Sequence, residues 1–185
     1  MGGSMSSVVI SGDTSGAITL AAPAVAGTNT ITLPAATGTV MVSGNMPAFS
    51  AYLSSNQIVT NSTITKVTFN TKEFDTNSNY DSTTNYRFTP TIAGYYQVNL
   101  TLDLSGSGSP SRFIGFIYKN GSEFKRPFDI QSSAVGNGFS GSQIIYMNGS
   151  TDYIESYVYI TAVSTPTVAS GANLSYFQAS LVRAA

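Results

Sequence analysis

The 185-residue sequence contains no histidine, no cysteine and no tryptophan. Without histidine or cysteine there is no Ser-His-Asp or Cys-His nucleophile system, no His- or Cys-ligated zinc and no disulfide framework. Charge is scarce as well: Lys, Arg, Asp and Glu make up 9% of residues, against about 25% in an ordinary globular domain. Eight basic and nine acidic side chains leave a formal net charge of -1, so the basic surface that nucleic-acid binding requires is not expected. No apolar run reaches the length of a membrane span, and the first residues, MGGSMSSVVISG, lack the basic region of a signal peptide. The expectation is a non-enzymatic protein with no cofactor or metal, no nucleic-acid partner and no membrane insertion.

What the chain does have is hydroxyl, amide and aromatic side chains. Ser, Thr and Asn account for 62 residues, a third of the chain, and there are 11 Tyr and 10 Phe. Every Phe and Tyr lies at or beyond Phe49, and residues 1 to 48 carry a single charge, Asp13. The sequence therefore divides into an arm, residues 1 to 48, and a head, residues 49 to 185, which cannot be stabilised in the same way. In the arm, β-type triplets recur between small-residue turns: Val8 to Ile10, Ile18 to Leu20, Ile31 to Leu33 and Val40 to Val42. ITLAAPAVAGT and ITLPAATGTV form an imperfect repeat at a 13-residue offset. Such short strands are marginal in water alone, so an extended β-rich arm that pairs with other chains is expected, with Ile18, Leu20, Ile31, Leu33, Val40 and Val42 as anchoring residues.

The head reads as all-β. Gly94 to Leu104 alternates strictly, with Tyr96, Val98, Leu100, Leu102 and Leu104 on one face and Tyr95, Gln97, Asn99, Thr101 and Asp103 on the other, the pattern of a half-buried strand. Further strands are expected at Ile64 to Phe69, Asn85 to Phe88, Phe113 to Lys119, Gln143 to Met147, Tyr153 to Thr161 and Leu174 to Val182. Asn120-Gly121 and Asn148-Gly149 have the composition of tight hairpin turns. This number of short strands predicts a two-sheet sandwich, of which a jelly roll is one arrangement. Tyr153 to Thr161 is apolar on both faces, which points to oligomer contact.

Residues 49 to 185 resemble the C1q-like domain, the jelly roll of the complement C1q and tumour-necrosis-factor superfamily. The resemblance runs in order through FSAYLSSNQ, KVTFN, NYRFTPTIAGYYQVNL, IYKNG, MNGSTDYIESYV and LSYFQASLV. The middle block is the most specific, with an aromatic, Thr-Pro and Gly-Tyr-Tyr leading into a long alternating strand. The resemblance implies a homotrimer with apolar strands at its threefold axis. The arm, SGAITLAAPAVAGTNTITLPAATGTV, is similar to low-complexity stems that precede the heads of bacteriophage tail and fibre proteins. Together the two imply a virion protein assembled in the host cytoplasm. The leading expectation is a capsid decoration or head-fibre protein held to other virion proteins by its arm. The alternatives are a tail-fibre protein recognising host surface polysaccharide and a secreted C1q-like adhesion or recognition module.

Other motifs are weaker. Asp75-x-Asn77-x-Asn79, followed by Asp81, supplies oxygen ligands that calcium takes, but the sixth and twelfth positions of an EF-hand loop would be Tyr80 and Tyr86 instead of Gly and Glu; an Asx-rich turn is expected. Gly136-x-Gly138-x-x-Gly141 spells a dinucleotide fingerprint but is followed by a strand, not a helix, and reads as a Gly-rich loop. The close carboxylate pairs Glu73/Asp75 and Asp152/Glu155 read as solvated strand ends and not as a glycosidase pair. Tyrosine offers flat contact area with a polar tip, which makes Tyr80, Tyr86, Tyr118, Tyr153 and Tyr157 the expected surface for saccharide or protein docking. Lys119, Lys125 and Arg126 form no run and carry no expected role.

Overall fold

The computed structural model describes residues 7–25, 27–31, 35, 38, 40–106, 110–131, 138–162 and 164–185. The chain falls into two compact units, residues 1–38 and 39–185. In the first, β1 (Ser7–Ser11) and β2 (Ala17–Ala21) form an antiparallel hairpin. Val8 pairs with Leu20 and Ile10 with Ile18. Because side chains alternate along a strand, these four aliphatics share one face. All four are exposed, Ile18 at 67%.

The second unit begins with β3 (Ala48–Tyr52), β4 (Gln57–Ile58), β5 (Thr65–Lys66), β6 (Thr71–Asp75), β7 (Tyr80–Asp81) and β8 (Arg87–Phe88). The long strands follow: β9 (Gly94–Asp103), β10 (Arg112–Lys119), β11 (Ser122–Gln131), β12 (Gly138–Met147) and β13 (Ile154–Thr161), then β14 (Thr167–Val168) and β15 (Tyr176–Ala184). They build a five-stranded sheet in the order β12-β9-β15-β3-β6 and a six-stranded sheet in the order β11-β10-β13-β8-β7, with β5 also on β13, while β4 and β14 pair with each other. From β8 onward the chain crosses between the sheets after β8, β9, β11, β12 and, by way of β14, β13, which is a jelly-roll path. Among the described residues the only helical turn is Ser43–Asn45.

The alternation of Gly94 to Leu104 places Tyr96, Val98, Leu100 and Leu102 fully in the core. Phe49 lies at the centre, its ring 4.6 Å from both Tyr80 and Phe88 and edge-on to Phe177 at 5.3 Å. Asn120 and Gly121 take φ of 54° and 78°, the left-handed pair a two-residue turn needs, and join β10 to β11. Asn148-Gly149 does not make such a turn: it lies between strands of different sheets, and the Asn148 carboxamide oxygen instead accepts from the N–H groups of Ser150, Thr151 and Asp152.

Several expected boundaries move. Ile64 to Phe69 shortens to Thr65–Lys66: the Val67 N–H still donates to the Ser156 carbonyl of β13, but the Thr68 N–H turns away to the Gln57 side chain. Gly138 and Gly141, expected in a Gly-rich loop, lie in β12, and Gly136 falls outside the described residues. Gly141 is required by proximity: a Cβ there would sit 2.4 Å from the Pro127 carbonyl oxygen of the strand before it. Val40 and Val42 sit in the second unit and are exposed. Between them Met41 packs against the head core, and the Asn77 carboxamide donates to the Gly44 carbonyl.

Candidate recognition surfaces

Three surfaces remain once the core is filled. The first is the hairpin stripe of Val8, Ile10, Ile18 and Leu20. Of the other arm residues, Ile31, Val40 and Val42 are exposed, and Leu33 lies outside the described residues.

The second is the outward face of the five-stranded sheet. Opposite the core-facing residues of β9, the rows crossing the sheet are polar and uncharged except at their ends. Ser142 Oγ donates to Asn99 Oδ1 at 2.8 Å, Gln178 Nε2 to Ser50 Oγ at 3.0 Å, and Ser50 Oγ to Glu73 Oε2 at 2.5 Å. Thr101 Oγ1 donates to Ser140 Oγ at 2.8 Å. Towards one end this face becomes apolar: Tyr95 and Tyr146 pair with ring centroids 5.5 Å apart, beside exposed Ile144 and Val182. Charge enters only at the margins, through Asp103 at a strand end, Glu73 on edge strand β6, and Arg183 near the C-terminus.

The third is the outward face of the six-stranded sheet, and it is built differently. Phe113 and Ile117 of β10 enter the core, so Arg112, Ile114, Phe116 and Tyr118 point outward. Ile114 pairs across strands with Asp129 and Tyr159, Phe116 with Tyr157, and Tyr118 with Glu123 and Glu155. The result is an aromatic strip flanked by fixed ion pairs. Arg112 holds Asp129 through two hydrogen bonds, from Nε at 3.2 Å and Nη2 at 3.0 Å. Arg126 holds Glu123 and Asp129 while lying 5.3 Å above the Phe116 ring. Lys66 reaches Glu155 at 2.5 Å. The Arg112 bonds hold the Asp129 carboxyl below its ordinary range. Tyr118 is raised by burial and by Glu123, and Tyr157 by burial and by Glu155. Hydrogen bonds with Thr161 and Ser62 lower Tyr159. At the Arg112 end the face opens into a groove of about 570 Å³ whose rim includes Ser62 and Thr63.

The five tyrosines expected at a surface separate. Tyr118 and Tyr157 are brought together, ring centroids 4.1 Å apart, on the aromatic strip. Tyr153 is half-buried, with the Arg87 guanidinium 4.3 Å over its ring, and Tyr86 is half-buried with a φ of 51°. Tyr80 is a core residue, 3% exposed, whose hydroxyl donates to the Phe69 carbonyl; burial raises its pKa far above the ordinary value. The expected Asx-rich turn turns Tyr80 inward: Asp75 accepts from the N–H groups of Asn79 and Tyr80. Asp81 likewise accepts from the N–H groups of Thr84, Thr83 and Asn85, which lowers its pKa. Both carboxylates are thus engaged by the backbone. Among the described residues there is no cluster of three or more Asp or Glu that a metal ion could share.

The carboxylate pairs are also engaged. Glu73 accepts from Ser50, and Glu155 pairs with Lys66 while 5% exposed. Asp152 accepts from Asn120 at 2.8 Å and pairs with Lys119. Burial opposes ionisation of Asp152, but these bonds outweigh it and its pKa is lowered. Sequence reasoning missed Arg112 and assigned Arg126 no role. They are separated along the chain and meet only because Asn120-Gly121 folds β11 back along β10.

Comparison with known proteins agrees with the strand order. The globular domain of zebrafish complement 1qA superposes with a TM-score of 0.54 at 19% identity, over 75% of this chain and 99% of that one. The chain has a C1q/TNF-like jelly-roll fold. Murine APRIL superposes at a TM-score of 0.53 and 9% identity, covering 74% of this chain and 99% of its own. The PRD1 vertex protein P5 does so at 0.53 and 13%, covering 76% and 98%. No family model and no curated protein sequence matches the chain.

Proposed function

We propose that the protein is a non-enzymatic structural component of a bacteriophage particle. It acts as a homotrimer whose jelly-roll head projects outward and whose N-terminal arm attaches to other virion proteins. The observation that carries this reading is the division of labour between the two sheet faces. The five-stranded sheet presents an outward face almost without charge, ending in Tyr95, Ile144, Tyr146 and Val182. Such a face is desolvated at little electrostatic cost and is the natural contact between copies. The six-stranded sheet carries the ion pairs of Lys66, Arg112 and Arg126, whose desolvation on docking would be expensive; it faces solvent in the assembly.

The hairpin supports the attachment role. A lone two-stranded unit is marginal in water, and burying one aliphatic side chain contributes about 1.5–3 kcal/mol, so its four-residue stripe is stabilised by an acceptor surface. Extended backbone adding to an exposed sheet edge is an established mode of docking. The likeness to the PRD1 vertex protein P5 supports the same setting.

The test is removal of residues 1–38, a cut placed before Met41 because that side chain packs against the head core. The truncated protein is expected to stay folded and trimeric and to be lost from purified particles. Incorporation at the full-length level would overturn the attachment role. Imaging particles that carry a labelled head distinguishes decoration, at the capsid face, from host attachment, at the tail tip.

A further inference from the structure

The groove at the Arg112 end of the six-stranded sheet lies on the face opposite the proposed trimer contact. Ile114 and Phe116 lie beneath it, nearly fully buried, and the apolar side chain it exposes is Ile64, at 43%. One wall is formed by Arg112 and Arg126 and the other by Tyr159, Ser62 and Thr63. Its volume of about 570 Å³ lies within the range of small-ligand sites, roughly 300–1,000 Å³.

The chemistry of the walls narrows the ligand. Arg112 and Arg126 are neutralised by Asp129 and Glu123, so the wall has no net charge with which to select a polyanion. Of the five N–H donors on each guanidinium, Arg112 uses two on Asp129 and Arg126 three on Glu123 and Asp129. The remaining donors lie in planes already fixed by these bonds, beside carboxylate oxygens that accept. Across the groove, Thr63 Oγ1 donates to the Asn61 carbonyl, Ser62 shares a hydrogen with Thr161, and Tyr159 is bonded to Thr161 and Ser62, so these hydroxyls are oriented and keep lone pairs that accept. Alternating fixed donors and acceptors beside the exposed Ile64 side chain complement a ring with adjacent hydroxyls and a C–H face. Their fixed geometry lowers the ordering cost of binding.

We infer that this groove is a binding site for a neutral saccharide chain, with hexopyranose hydroxyls bridging Arg112 and Arg126 to Ser62, Thr63 and Tyr159. The site does not depend on where the protein sits on a particle, or on the trimer.

Isotope-labelled full-length protein titrated with neutral hexasaccharides of glucose, mannose and galactose, in parallel with oligogalacturonate, tests it. At least one neutral probe should give saturable shifts at the Arg112 and Arg126 side chains and the backbone of Ser62 to Ile64. Thr63→Trp, which fills the groove from an exposed loop position, should weaken that binding by about tenfold or more while leaving the shifts of core residues unchanged. Arg112→Gln should weaken it as well. Absence of shifts with every neutral probe, binding of oligogalacturonate alone, or equal affinity in Thr63→Trp would each overturn the assignment.

Discussion

Lys66→Met isolates what holds the aromatic strip in place. The Glu155 side chain is 6% exposed and its partner Lys66 29% exposed. Lys66 also donates to the Asn85 carbonyl at 3.2 Å, so one ammonium ties β13 to the loop before β8. Removing one partner of a buried pair costs about 3–5 kcal/mol; partial access of water to Lys66 places this pair at about 2–3 kcal/mol. For a chain of this size that corresponds to a fall in melting temperature of roughly 5–10 °C. The double variant Lys66→Met/Glu155→Met removes the stranded charge as well and should recover most of the loss, because apolar replacement of both partners of a buried pair is often neutral. Thermal and urea unfolding of wild type, each single variant and the double variant measure the cycle. A loss below about 0.5 kcal/mol in Lys66→Met, the size expected of a surface pair, would refute the claim that Glu155 is held in a desolvated setting.

Three further outcomes follow from named contacts. Gly141→Ala places a Cβ against the Pro127 carbonyl and should cost about 1–3 kcal/mol as overpacking, read from the urea midpoint. The Asp81 carboxyl is lowered by N–H donors from Thr84 and Thr83, so its contribution is present above the ordinary carboxylate pKa of 3.8 and is lost as pH falls through the depressed folded value. Asp81→Asn should therefore be less stable than wild type at neutral pH, with a gap that narrows as pH falls from 3.8 towards that depressed value. Ile144→Asp puts a charge on the outward face of the five-stranded sheet and should shift the protein towards monomers in sedimentation velocity without lowering its β content.

The jelly roll was legible where one face of a strand carries all the apolar residues. Tyr96 to Leu102 alternates because the core needs it to, and β9 appears almost as expected. Strand β11 was not legible. Its residues SEFKRPFDIQ bury only Phe128 fully, so it is an edge strand held by its turn and by β10. The same strand supplies Arg126, Glu123 and Asp129, which is why the groove could not be seen from the sequence: its charged groups have no spacing signal and are assembled by strand pairing. Tyr80 shows the opposite limit. The contact area and polar tip of tyrosine put it among the expected surface residues, but the polar side chains beside it serve the turn backbone, leaving the ring to stack on Phe49. The surplus apolar face expected for Tyr153 to Thr161 is present, yet Tyr157 and Tyr159 belong to a surface laced with ion pairs. The low-charge face lies on the other sheet.

Light scattering of the intact protein at micromolar concentration tests the assembly account most directly. The account predicts a particle of three times the 19.4 kDa chain mass, whereas a single species at 19.4 kDa would contradict it.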